Sequence, residues 1–365
     1  MFDIEFVMRS ESLKTAIVSG EFCDDAGSLL DQMRPKSPPV FQLETTNVCN
    51  MKCVMCPRTT KMERKLGFME SEAYASLIHQ LSPHTPDRWN HWKEFVEQDL
   101  LKNTAAYDED YFYFLICSQT LILHGFGEPI LDKSLPDRIA LAHAHGLPTY
   151  FSMNPVNIDL EKLDAIGAAG LSYLKLSLEG LDNETQLKYR GRIDASFDNT
   201  IEKVISVIKL FQERDYKTTI ILTKLNFKND LEAQEEYVNF WKQFPVMVYV
   251  KNQHNRWLYE EETATPNTAE YMQRYCEFPW SSVSILYDGT VVPCPLEYEG
   301  ILNMGNVRDQ PLEKIWNSDR YQAFREMHAY GNFPEGHFCK THCDYNQLHE
   351  FIERNRNLRT AAAGA

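Results

Sequence analysis

The chain of 365 residues has no unbroken apolar run of the length, about 18 residues, that a membrane-spanning helix requires. Basic side chains are in short supply, 37 Lys and Arg against 52 Asp and Glu, for a net charge of −15. That balance repels phosphate backbones and anionic lipid on average, so neither nucleic acid nor a membrane surface is an expected partner. The first twenty residues alternate charged with apolar positions and lack the basic-then-apolar plan of a secretory signal. A cytoplasmic location is expected. Repeats and low-complexity tracts are also missing.

Cysteine is not missing. Nine are present, and a reducing compartment keeps them from being read as disulfides. Cys49, Cys53 and Cys56 crowd together, Cys276, Cys294, Cys339 and Cys343 fall late, and Cys23 and Cys117 stand alone. Two groups of free thiols point to metal.

Between the two groups, strand and helix patterns alternate. After a mixed segment, 1–40, that ends in the connector-like prolines Pro35, Pro38 and Pro39, strands are predicted at 41–46, 119–124, 148–153, 173–178, 218–223 and 246–250. Helices are predicted at 70–81, 132–145, from Asp159, through Leu187, at 197–214 and at 231–241. Six β–α units over residues 41–259 imply an α/β fold, a parallel sheet curled into an open or partial (β/α)6 barrel. In such a fold the chemistry sits on loops after the strands, and the first cysteine group follows strand one.

An aromatic insertion, 82–116, interrupts the alternation and exceeds an ordinary connection. Trp89, Trp92, Val96 and Leu100 share one helical face, which suits either a helix packed on the barrel or a lid over its mouth. Past Glu260 the pattern changes to a hairpin, 281–286 and 290–292, turning at Tyr287-Asp288-Gly289, then helices at 311–316 and 319–330. This is expected to be a small separate α+β module, 260–348, followed by a tail, 349–365.

The first group reads C-x3-C-x2-C. Three thiolates on a short loop can hold three irons of a cubane and leave the fourth open to a ligand. A zinc site would rather use close pairs at two-residue spacing. On this loop, placed after strand one of a β/α chain, the sequence resembles the radical SAM (S-adenosylmethionine) superfamily. The resemblance implies a 4Fe–4S cluster that reduces SAM, releasing a 5′-deoxyadenosyl radical that abstracts a substrate hydrogen. It also implies a soluble reductant such as flavodoxin or ferredoxin.

Further motifs extend the likeness. Met55 stands where the family commonly has an aromatic residue near the adenine. His124-Gly125-Phe126-Gly127-Glu128-Pro129 is similar to the motif that receives the SAM amino group, so Gly125, Gly127 and Glu128 are expected there. Along strand four, Leu174, Leu176 and Leu178 share one face and Lys175, Ser177 and Glu179 the other. The polar trio is expected in the lumen, with Ser177 and Glu179 at ribose-contacting positions. Arg190, ahead of Gly191-Arg192, is expected to pair with the SAM carboxylate, and Asn154 to make a further SAM contact.

The segment 287–294 and the run Asn303-Met304-Gly305-Asn306-Val307 resemble the SPASM/twitch C-terminal modules of the same superfamily. Cys276, Cys294, Cys339 and Cys343 are then expected to hold one auxiliary 4Fe–4S cluster. The last pair is spaced by three residues rather than two, His342 is a rival ligand, and a structural zinc is the rival metal. Members with one auxiliary cluster include dehydrogenases of aminocyclitols and sugars. The leading expectation is therefore hydrogen abstraction at a carbinol of a small polar molecule. The alternatives are a maturase of a ribosomal peptide or protein and, more distantly, a non-enzymatic iron–sulfur redox protein. Cys117, His124 and His254 are weighed as hydrogen or proton donors and none is assigned.

Overall fold

A computed structural model describes residues 1–19, 25–101, 109–191, 199–226, 231–252 and 276–341. Cys23, Arg192, His254, His342, Cys343 and the tail 349–365 lie outside the described residues, as do 102–108 of the insertion and 253–275 at the module boundary.

Six parallel strands form the body: β1 (Val40–Leu43), β2 (Leu121–Ile122), β3 (Thr149–Met153), β4 (Tyr173–Ser177), β5 (Thr219–Asn226) and β6 (Met247–Asn252). They lie in the order β6-β5-β4-β3-β2-β1, an open sheet and not a closed barrel. Strand alternation divides its two faces. Leu174, Leu176 and Leu178 bury outward against helices, with Ile139, Ile166, Val204 and Val207 in the same cluster. Burying each such side chain stabilises the fold by roughly 1.5–3 kcal/mol. The opposite, inner face carries Ile122, Tyr150, Ile221 and Tyr249.

The helices Leu231–Trp241 and Asp319–Tyr330 occupy the predicted spans, and others differ by a few residues at their ends. Two departures are larger. The C-terminal hairpin, β7 (Val283–Ile285) and β8 (Thr290–Val292), does not stand apart. β7 pairs in parallel with β1, and β8 and β9 (Gly305–Asn306) continue the same nine-stranded sheet. The edge that six strands would leave open beside β1 is thereby paired. The N-terminal segment is also more regular than a connector. It forms helices Ile4–Ser19 and Ala26–Met33, with Phe2, Ile4, Phe6 and Val7 buried.

Those residues meet the aromatic insertion. Thr85 accepts from the Arg88 amide and starts the helix Pro86–Phe95, which buries Trp92 and directs its indole N–H to the Phe114 carbonyl at 2.8 Å. A wide π-helical turn, Phe112–Cys117, then leads into β2. Phe112 packs 5.3 Å from both Tyr150 and Tyr249, near the starts of β3 and β6. The described part of the insertion therefore fills the floor of the open barrel, opposite the ends that carry the cysteine loop.

Candidate active site

The cysteine loop leaves β1 under strong local restraint. Asn47 accepts from the Gly67 amide at 2.8 Å and donates to the Lys65 carbonyl at 2.9 Å. The Lys52 and Val54 amides donate to Gly191 and Tyr189 carbonyls at 2.7 and 3.1 Å, which ties the loop to the end of the helix Asn183–Arg190. Asp182 caps that helix by accepting from the Thr185 amide at 2.7 Å.

Cys49, Cys53 and Cys56 all open into one cavity of about 370 Å³ at the C-terminal ends of the strands. Burial pushes the Cys49 thiol up to about 12 and the Cys56 thiol to about 11, and it raises Cys53 as well. The Glu128 charge adds to the rise at Cys49 and Cys53. Such thiols ionise when a cation stands beside them. Among the described residues, no three His, Cys, Asp or Glu side chains converge as one metal ion would need. Three thiols around a shared cavity suit a cluster, whose irons are spread over its corners.

Glu128 reaches the same cavity and is nearly fully buried. One oxygen accepts from the Asn154 amide at 3.0 Å and from Asn157 at 3.1 Å, while Oε1 makes no hydrogen bond of good geometry among the described residues. Burial raises its carboxyl to about 7. The Asn154 side-chain amide nitrogen is likewise buried, with no partner among the described residues. An orphaned acceptor and an orphaned donor at one wall fit a ligand with ammonium and carboxylate groups, as SAM has.

The two glycines of the 124–129 motif serve contacts within the protein. A Cβ on Gly127 would stand 2.1 Å from the Thr46 carbonyl oxygen, and one on Gly125 would stand 2.7 Å from Glu44 Oε2. Both positions also line the cavity.

Ser177 and Arg190 line the cavity too, together with Met55, which is buried, whereas Glu179 borders a neighbouring cavity that shares Lys224 and Leu225 with this one. Ser177 and Ser152 hydroxyls lie 3.1 Å apart. Arg190, expected opposite a ligand carboxylate, instead donates to Glu179, whose second oxygen accepts from the Leu225 amide at 2.7 Å. Burial opposes the Arg190 charge, but Glu179 and the thiols of Cys53 and Cys56 outweigh it and keep the guanidinium ionised.

In the C-terminal part, Cys276 and Cys339 are buried and Cys294 is half-buried. Cys276 and Cys294 both lie close enough to Tyr321 to disfavour its ionisation, after burial itself. Three of the four expected ligands are thus described, and the fourth, Cys343, lies outside. The residues after Cys294, Pro295 and Leu296, form the wall of the cavity that also carries the first cysteine group.

Some site residues escaped the sequence. Glu44 is fully buried and accepts both terminal nitrogens of Arg64 at 2.9 Å, the Phe126 amide at 3.2 Å and the Tyr287 amide at 3.3 Å. It ties β1, the 124–129 loop and the hairpin together. Its signal was a carboxylate directly after an apolar strand. Gln42 and Lys251, on the inner faces of β1 and β6, also reach the cavity. Of the donors left unassigned, Cys117 is a buried thiol raised to about 12 by burial. His124 is held at about 3 by burial and Lys175, and its Nδ1 accepts from the Ser152 amide at 3.2 Å. Its ring is neutral, with the proton on Nε2.

Comparison with known proteins bears on the whole chain. The family model for the radical SAM superfamily matches residues 43–237, and that for the iron–sulfur cluster-binding SPASM domain matches residues 276–344. The chain is 29% identical over 304 residues to the S-adenosyl-L-methionine-dependent 2-deoxy-scyllo-inosamine dehydrogenase of Niallia circulans, covering 82% of this chain and 91% of that protein. It is 28% identical over 174 residues to the Fe-coproporphyrin III synthase of Methanosarcina barkeri, over 47% of this chain and about a third (34%) of that protein. The solved structure of anSMEcpe with bound AdoMet shares the fold at a TM-score of 0.55 and 15% identity, covering 89% of this chain and 95% of that one.

Proposed function

Because the chain belongs to the radical SAM superfamily, we propose that it oxidises a carbinol carbon of a small polar substrate, of sugar or aminocyclitol type, by hydrogen abstraction. One observation carries the reading. A single cavity is lined by Cys49, Cys53, Cys56 and Glu128 and also by Pro295, the residue after Cys294. A substrate held there would lie between two sets of cluster ligands. The inosamine dehydrogenase relative supports the same class of reaction.

In this reading Cys49, Cys53 and Cys56 hold a 4Fe–4S cluster, and Cys276, Cys294, Cys339 and Cys343 hold an auxiliary one. When bound, the first cluster supplies the electron that splits SAM into methionine and a 5′-deoxyadenosyl radical, and the second provides a sink for the electron left after hydrogen removal. The chain's own groups set the geometry. The free oxygen of Glu128 accepts from the SAM ammonium, and the Asn154 amide donates to its carboxylate. Ser177 and Glu179 bound the ribose, with Gly125, Gly127 and Met55 along the adenosyl path. Arg190 neutralises charge near the cysteine loop, exchanging part of its bond to Glu179 for the ligand carboxylate. The aromatic floor excludes water from beneath, which protects a radical from quenching.

Anaerobic reconstitution tests the reading. The chain is expected to bind about eight irons, two cubanes by cysteine count. Changing Cys49, Cys53 and Cys56 together to Ala should remove half the iron and all 5′-deoxyadenosine formation. Deuterium passing from a labelled carbinol into 5′-deoxyadenosine supports the sugar-type substrate. Transfer only from a labelled peptide would replace it with the maturase reading.

A further inference from the structure

Below the SAM-facing cavity lies a deeper chamber of about 160 Å³. Gln42, His124, Lys175, Lys251 and Pro295 border both spaces, so the two adjoin and Lys175 faces each. The chamber's walls include the aromatic rings of Phe41, Phe112, Tyr150 and Phe278. Within them stand two lysines in unequal circumstances. Lys251 is paired with Glu109 at 3.0 Å. Lys175 has no carboxylate or carbonyl acceptor among the described residues. Its ammonium lies 4.8 Å from the Phe112 ring centre and 5.5 Å from that of Tyr150. Ring faces replace only part of the water that a lysine loses on burial.

The charge count leaves one cation over. Among the described residues that line the chamber, Lys175 and Lys251 face Glu109 alone, because His124 is neutral and the Cys117 thiol stays protonated. Burial, helped by Lys251, lowers the Lys175 ammonium to about 7. A cation so placed, facing the cavity that would hold SAM, has no partner anion among the described residues.

We infer that the substrate carries an anionic group, a carboxylate or a phosphate, which pairs with Lys175 and hangs the rest of the molecule upward toward the SAM-facing cavity. The inference deepens the function proposed above and rests on it for the identity of the reaction. It narrows the small polar substrate to one that carries a carboxylate or phosphate group.

The test is binding to the reconstituted holoenzyme in the presence of SAM. The probes are D-gluconate, inorganic phosphate and, as the neutral polyol, myo-inositol, with dissociation constants read from thermal stabilisation. At least one anion should stabilise the wild-type protein saturably, and which of the two does so separates carboxylate from phosphate. Lys175→Arg should keep that affinity within about threefold, and Lys175→Gln and Lys175→Met should lose at least tenfold, consistent with one lost charge-assisted bond. The melting temperature of each variant without probe verifies folding. Equal anion binding by Lys175→Gln and wild type, no anion binding by wild type, or myo-inositol binding as tightly as the anions, overturns the inference. Wild-type protein that makes no 5′-deoxyadenosine would instead sink the reaction proposed above, whatever it binds.

Discussion

Arg190 and Glu179 are joined by a bond of 2.5 Å between Nε and Oε1, with the carboxylate fully buried and the guanidinium only 18% exposed. The family resemblance implies a ligand contact for each residue, and here they hydrogen-bond each other. The pair holds the end of the Asn183–Arg190 helix against β4 and β5, and that helix end in turn anchors the cysteine loop through the Tyr189 and Gly191 carbonyls. Removing one partner leaves a buried charge, which typically costs about 3–5 kcal/mol. Arg190→Met should therefore lower unfolding stability by about 3 kcal/mol, measured by urea denaturation of the protein without clusters. Glu179→Gln keeps a hydrogen-bond acceptor and should cost less. A double variant less destabilised than the sum of the singles would report the coupling directly.

Gly127 makes a sharper distinction between structure and ligand. A methyl group there would meet the Thr46 carbonyl oxygen at 2.1 Å, and the neighbouring contact is also backbone, at 2.6 Å. Neither can move aside without shifting the strand-one loop. Gly127→Ala should thus destabilise the protein without SAM, by about 1–3 kcal/mol as overpacking usually does, and should disturb iron binding at the displaced loop. If Gly127 served only to let SAM approach, the same change would weaken SAM affinity and leave the ligand-free melting temperature where it was.

Much of this arrangement was legible in the chain because its signals are local. The two-residue period of β4 sorted Leu174, Leu176 and Leu178 from Lys175 and Ser177, and the sheet keeps that division. Helices such as Leu231–Trp241 declare themselves through spacing within a few turns. What escaped depends on contacts between distant positions. Parallel pairing of β7 with β1 joins Val283 to Val40 across the whole β/α body, and no local pattern announces it. Glu44 and Arg64 meet through a folded loop. The N-terminal helix was missed for a different reason. Phe2, Ile4, Phe6 and Val7 are buried on every side by the insertion and the barrel floor, so they show no helical stripe. The Glu179–Arg190 bond was hidden by chemistry, since a residue that can bind a ligand can equally bind its neighbour.

The pH dependence of anion binding follows from Lys175 and the groups around it. Lys251 from β6 and Arg190 from its helix oppose its charge, Glu109 from the insertion favours it, and the protonated Cys117 thiol and neutral His124 stand beside it on the β2 side. The Phe112 and Tyr150 rings complete its surroundings. The balance, dominated by burial, leaves the free protein with an ammonium that loses its proton at about 7. Only the protonated form pairs with a carboxylate. Affinity for D-gluconate should accordingly be nearly constant below pH 6 and fall toward tenfold per unit above pH 7, a slope set by one proton. Binding raises the lysine's own pKa, because the new anion favours the charged form, so the complex should take up a fraction of a proton at pH 7.5. Calorimetry in buffers of different ionisation enthalpy measures that uptake. Lys175→Arg carries a charge that does not titrate in this range, and its affinity should stay flat to pH 9. A wild-type affinity equally flat would mean that Lys175 keeps its proton throughout, and that water or a nearby carboxylate stabilises it in solution.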